Sequence, residues 1–355
     1  MPGLFEQGEA ISYLQRFLTG NKARGMVAEL ALETYLQEAG ATVDGETLTQ
    51  KVLSGAWLIS PRVDEYARYR YAVFVLPTLC LSEDELESAV QSRQKDRGFQ
   101  ALATFLSQSG IGVIVSAGLC DRSAIHPDQI HWRNYIYAPG TESLQPEPDR
   151  QPFSAWPGHR GQPSQGSMWA DDVLSRFQVA PQAQLTALTL RQAFFYGFLK
   201  GTLRKPLADP YDIDGFVVSY RGAVMPLEVK EKSPTPGGEF GIDAGRILML
   251  LRLCLATDSN AFYIIRRVDE STGRTFLGWE FITLSDIITG CSWNLTAGGR
   301  GMRGGATQTV MIPGALFRSF EPESLLDSHL AGIASLHGQV KQRAIEFAGE
   351  LSRFL

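Results

Sequence analysis

Residues 209–232 read DPYDIDGFVVSYRGAVMPLEVKEK, two apolar runs joined at Arg221-Gly222. Two such runs with a turn signal between them predict a β-hairpin. This segment constrains the fold most, because it fixes where several charged side chains must go. Side chains alternate faces along a strand, so Glu228 and Lys230 point one way while Val229 points into the core. Asp214 opens the first run, where its carboxylate reaches the same edge. On spacing alone two readings stand: two carboxylates and an amine meet at one point, or Glu228 and Lys230 form an ordinary salt bridge on a strand surface.

The flanking sequence asks for more helices and strands. An apolar face of Val27, Leu30, Leu32, Tyr35 and Leu36 predicts a helix over 23–39, stopped at Gly40. Ser82 and Glu85 make a capping-box pattern before a charged helix. Further helices are predicted over 100–108, 169–177 and 183–200, the last with Leu190, Phe194 and Phe198 at four-residue spacing. Residues 242–256 predict an apolar helix with Asp243 as its cap. YAVFVLP (71–77), IGVIVSAG (111–118), AFYIIRRV (261–268) and TFLGWEFITL (275–284) read as strands. HPDQIHW reads as a turn, and GGRGMRGG (298–305) as a flexible basic loop. From 138 to 168 the sequence becomes rich in Pro, Gly, Ser and Gln, the best boundary in the chain. The expected organisation is an α/β N-terminal region (1–140), a linker or long loop (141–168), a main domain (169–320) and a C-terminal helix (321–355).

Composition narrows the classes. With 355 residues the chain suits two domains, and 44% hydrophobic with 20% charged residues is ordinary for a globular protein. No run of apolar residues is long enough for a membrane span. The start, MPGLFEQGEA, lacks the basic and apolar segments of a secretory signal. Cys80, Cys120, Cys254 and Cys291 are widely spaced and form no CxxC, which predicts reduced buried thiols in a cytoplasmic protein. The five histidines supply no pairing at zinc-ligand spacing. A net charge of −5 argues against a general nucleic-acid coat protein but leaves a nuclease open, since the field in a cleft matters more than the sum. Arginine outnumbers lysine 25 to 8, which suits phosphate recognition and equally suits a compositional habit. There is no GxSxG, Walker-type loop or GxGxxG, so no nucleotide cofactor is expected.

Asp214 and Glu228 supply the oxygen ligands that a hard cation such as Mg²⁺ prefers, with room for waters and a phosphate oxygen. Such an ion activates water, and a lysine beside it orients that water or steadies developing negative charge. The arrangement resembles the PD-(D/E)xK nuclease superfamily, whose pattern is an Asp at a strand start, a hairpin, then (Asp/Glu)-x-Lys on the next strand. Asp214, Glu228 and Lys230 match those three positions, and 242–256 and 261–268 match the helix and strand that follow. The likeness covers about 190–284 and departs from the pattern in having Ile213 rather than Pro before Asp214, which leaves Asp212 as a rival ligand. Pro226 also falls inside the second strand, where it removes a ladder donor.

The resemblance implies an α/β fold with a mixed central sheet flanked by helices. It places a restriction-endonuclease-like core in the C-terminal half, beside a separate α/β N-terminal region for target recognition or a partner. It implies a Mg²⁺-dependent endonuclease, with Mn²⁺ able to substitute, that hydrolyses DNA phosphodiester bonds in restriction or phage defence. Asp214 and Glu228 would bind the metal, and Lys230 would act on the water. DNA is the implied partner, and double-strand cutting would call for a homodimer. Many members add a helix carboxylate. Gln192 stands nearest that place in 183–200, and Glu29 is the alternative, weighed against a solvated helix residue. Arg246, Arg300 and Arg303 are candidate nucleic-acid contacts, and Arg204 and Lys205 have similar standing. The competing readings are a non-catalytic nucleic-acid- or protein-binding module on the same fold, and the nuclease subunit of a transposition or recombination complex.

Overall fold

A computed structural model describes residues 3–38, 42–43, 46–47, 51–59, 69–147, 166–202, 210–219, 222–293, 295–300, 306–325 and 327–354. The chain divides into two compact units, Met1–Leu30 with Ser54–Ile213, and Ala31–Leu53 with Asp214–Leu355. It is a mixed α/β protein in which mixed sheets are flanked by helices.

In chain order the elements begin with α1 (Gln7–Phe17), α2 (Gly20–Glu38), a short ribbon of β1 (Thr42–Val43) and β2 (Glu46–Thr47), and β3 (Lys51–Ile59). They continue with β4 (Tyr71–Cys80), α3 (Glu83–Lys95), α4 (Arg97–Gln108), β5 (Gly112–Leu119), β6 (His131–Ala138), β7 (Ser143–Pro146), α5 (Asp171–Val179) and α6 (Gln182–Ala193). The first unit runs its strands in the order β3-β4-β5-β6-β7, with β4 and β5 parallel and the other pairs antiparallel. Its core joins Leu14 and Leu18 of α1 to Val73 and Val75 of β4, and to Leu190 and Phe194 of the α6 region. Ser82 caps α3 by accepting from Glu85 N, while the Glu85 carboxylate accepts from Leu81 N. The predicted single helix over 183–200 changes at Phe194, where a π-helical segment takes over to Thr202. That wider turn keeps Phe194, Phe195 and Leu199 all buried.

Two sequence expectations are corrected in this unit. HPDQIHW is a turn only over Pro127–Gln129, for His131 already opens β6. Ser143–Pro146, inside the expected linker, is strand β7 paired to β6. Residues 148–165 of that linker lie outside the described residues. Strand β3 was unpredicted.

Strand β8 (Tyr211–Val218) belongs to the second unit from Asp214 on, and that unit continues with β9 (Val224–Lys232), β10 (Glu239–Asp243), α7 (Ala244–Thr257), β11 (Phe262–Asp269), β12 (Thr275–Thr283) and α8 (Leu284–Gly290). It ends with β13 (Leu295–Arg300), β14 (Ala306–Pro313), β15 (Arg318–Ser319), α9 (Asp327–Ile333) and α10 (Gly338–Phe354). The strand order is β8-β9-β11-β12-β15, with β9 and β11 parallel and the rest antiparallel. A parallel pair needs a crossover, and here α7 provides it. Its residues Ile247, Leu248, Leu251 and Cys254 are buried. A second, three-stranded sheet has the order β10-β14-β13.

GGRGMRGG is therefore not simply a loop. Its first three residues finish β13, and β14 begins at Ala306; 301–305 lie outside the described residues. The C-terminal segment forms two helices, parted at 334–337 before Gly338 with φ +50°. All four cysteines are buried and free. Among the described residues no helix is long and apolar enough to cross a membrane.

Candidate active site

The site is built on the β8–β9 hairpin of the second unit. Its ladder pairs Val218 with Val224, Val217 with Met225, Phe216 with Pro226 and Gly215 with Leu227. Gly222, at φ +84°, supplies the left-handed turn conformation that favours glycine; Arg221 lies outside the described residues. Pro226 stays inside the strand because the parallel ladder of β9 with β11 starts one residue later, at Leu227. The missing amide proton is therefore never asked for by β11.

Continuing the register sets Asp214 opposite Glu228, at the open end of the hairpin. Asp214 is the fourth residue of β8 rather than its first, because Tyr211 and Asp212 are already extended. The paired ladder, however, stops at Gly215. Beyond it an Asp214 side-chain oxygen, Oδ2, accepts the Val229 N–H at 2.7 Å, in the place a strand carbonyl would have taken.

The charged groups converge as the period of two requires. Lys230 Nζ lies 2.6 Å from Glu228 Oε1 and 3.2 Å from Asp214 Oδ2, and donates to the Val229 carbonyl at 2.9 Å. Arg246, in the first turn of α7, brings its Nε to 3.1 Å from the same Glu228 Oε1. Its backbone N–H is fixed by Asp243, the N-cap, at 3.2 Å. The side chains of Glu228 and Asp214 are 0% and 2% exposed, whereas Lys230 and Arg246 keep 29% and 26%. The acids thus form the floor and the bases the solvent-facing wall. Neither Glu228 oxygen makes a hydrogen bond of good geometry, and Oε1 is held by the charges of Lys230 and Arg246. Burial pushes the Glu228 carboxyl up to about 7, opposed by Arg246, reinforced by Asp214 and opposed again by Lys230.

Two further residues belong to this neighbourhood. Tyr263 of β11 stands opposite Glu228 in the parallel register and is buried, which raises its hydroxyl well above the usual tyrosine range. Lys232 shares the face of Glu228 and Lys230; burial, then the charge of Lys230, lowers its pKa, and its Nζ donates to the Gly241 carbonyl at 2.9 Å. That contact ties the end of β9 to β10. The period-two rule applied once more would have found Lys232 from sequence. Nothing local signals Tyr263, which meets Glu228 only through the α7 crossover.

The other candidates lie elsewhere. Asp212 ion-pairs with Arg191 of α6, within the first unit. Glu29 pairs with the same guanidinium at 3.1 Å, so it is a partly buried ion-pair member rather than a solvated helix residue. Gln192 is buried in the first unit. Arg300 ends β13, and Arg303, Arg204 and Lys205 lie outside the described residues.

No protein-family model, curated protein or solved structure matches the chain. The chemistry of the site must therefore be read from its own groups. Among the described residues no cluster of three or more His, Cys, Asp or Glu side chains offers a complete cage for a metal ion. A hard divalent cation does not need one, since Mg²⁺ keeps several waters beside one or two carboxylates. The two hydrogen-bond-free oxygens of Glu228, buried beside Asp214, are the donor set that fits such an ion.

Proposed function

We propose that the second unit is a Mg²⁺-dependent endonuclease that hydrolyses DNA phosphodiester bonds, with Mn²⁺ able to replace Mg²⁺. The observation that carries this reading is the meeting of Asp214, Glu228 and Lys230 at the open end of one hairpin, with both Glu228 oxygens buried and without a hydrogen bond. Burying a carboxylate costs several kcal/mol unless it is compensated, and two buried acids side by side support a site that binds a cation.

In this reading Asp214 and Glu228 hold the metal ion. The bound ion would lower the pKa of a water and offset charge on the phosphoryl oxygens. Lys230 carries its proton on Nζ between the two carboxylates, where it orients the attacking water and faces the charge that grows on phosphate. The Val229 N–H fixes the Asp214 carboxylate, and the Val229 carbonyl fixes the amine, so the constellation is pre-set by backbone rather than by flexible contacts. The restriction-endonuclease-like core and a cytoplasmic setting for the reduced cysteines belong to the same proposal.

The test is a cleavage screen of plasmid, linear duplex and single-stranded DNA and of RNA, with Mg²⁺ or Mn²⁺. Lys230→Ala should abolish cleavage while the protein still folds and binds DNA. Wild-type protein that cuts no nucleic acid in any form with either ion would sink the enzymatic reading. It would leave the binding-module reading in its place.

A further inference from the structure

Arg246 and Lys230 crowd a single oxygen, Glu228 Oε1, at 3.1 and 2.6 Å. Asp214 takes the Val229 N–H and a second contact from Lys230. Both bases are thus drawn onto a buried acid. Their remaining exposure puts both on the solvent side of the acids, where a substrate must arrive. A divalent ion on Glu228 and Asp214 would compete with the two bases for these carboxylates, and its charge would repel the guanidinium from the acid it now holds.

We propose that Glu228 latches Arg246 in the metal-free protein, and that a divalent ion on Glu228 releases Arg246 to the phosphate of the substrate. The inference rests on the metal site proposed above. Its consequence is that ion and phosphodiester bind cooperatively, each tightening the other by the same factor. Arg246 suits the task, since a planar guanidinium pairs with carboxylate and with phosphate oxygens in the same forked way. Asp243 fixes its backbone through the α7 cap, which keeps the base of the side chain beside the site.

The experiment measures binding of a fluorescent DNA duplex by anisotropy, at fixed ionic strength, in EDTA and in saturating Ca²⁺. Wild type should bind about tenfold or more tighter in Ca²⁺, within the usual span of coupling between sites. Arg246→Met should lose most of that gain, with a larger loss in Ca²⁺ than in EDTA, where Glu228 holds the arginine. Glu228→Gln frees the latch without any metal. It should bind DNA several-fold tighter than wild type in EDTA, and the double variant Glu228→Gln/Arg246→Met should lose this gain. Melting curves of each variant report folding, and Arg246→Lys restores a charge without the fork.

Equal losses in EDTA and Ca²⁺ for Arg246→Met would overturn the latch and leave Arg246 as a general electrostatic contact. A gain in Glu228→Gln that survives in the double variant would overturn it as well. A Ca²⁺-induced rise in melting temperature that disappears in Asp214→Asn confirms the metal site independently. If wild type shows no such rise, the metal reading itself fails and the latch falls with it.

Discussion

Glu228 is central to the proposed chemistry, and its burial makes a signed prediction. Its ordinary pKa of 4.5 rises to about 7 in the folded protein, first because burial penalises the charged form. A raised folded-state value means the native protein holds the proton more tightly than the unfolded chain. Unfolding therefore releases a proton between these values, and native stability falls as pH rises through that window. Glu228→Gln cannot titrate. The melting temperature of this variant should gain on wild type from about pH 5 to about pH 8, and a constant gap would show that Glu228 does not titrate there. Activity should respond in the opposite direction: the proposed metal ion needs the carboxylate, so the proposed hydrolysis by wild type should climb with pH through about 7. Lys230 contributes at this scale in a different way. It is partly exposed and lies over the acids, so its loss should touch cleavage far more than folding.

At the scale of elements, the hairpin β8–β9 and the helix α7 position the chemistry, and both were largely legible in the sequence. The turn at Gly222, the alternation that pairs Glu228 with Lys230, and the Asp243 cap are all local signals, decided by residues within a few positions of one another. Strands whose partners lie far along the chain were not legible. β10 is five residues long and finds its partner in β14, Phe240 against Ile312, a pairing no local pattern announces. β6, HWRNYIYA, sets polar and apolar residues too irregularly for a clear alternation, and pairing with β5 and β7 decides its state. The site divides in the same way. The meeting of Asp214, Glu228 and Lys230 follows from one hairpin, whereas Tyr263 joins them through a parallel register set by the crossover. The cap carries a prediction of its own. Asp243→Ala removes the acceptor of the Arg246 N–H and should cost about 1 kcal/mol of stability in denaturant melts. Asp243→Asn should recover most of it, and an alanine variant as stable as wild type would show that α7 is held by packing alone.

At the scale of the molecule, the unit that carries the site is not one stretch of sequence. It takes in Ala31–Leu53 as well as Asp214–Leu355, so the unit that carries the candidate site is assembled from segments far apart in the chain. The C-terminal helix illustrates the dependence. α10 packs on α7, the helix that presents Arg246, with Ala344, Phe347 and Leu351 buried and Arg252 of α7 donating to the Ser352 hydroxyl at 3.0 Å. Phe347 stacks on Trp293 with ring centroids 3.7 Å apart. Emptying that position leaves a cavity beside the support of α7 rather than a change at the site. Phe347→Ala should therefore cost roughly 3–5 kcal/mol, the usual range for a buried phenylalanine. A helix that merely decorates the surface would lose far less. The two cases separate further in cleavage assays under strongly stabilising conditions. If α10 acts only through packing, Phe347→Ala should recover near wild-type cleavage once refolded at low temperature, whereas Lys230→Ala should not recover at all.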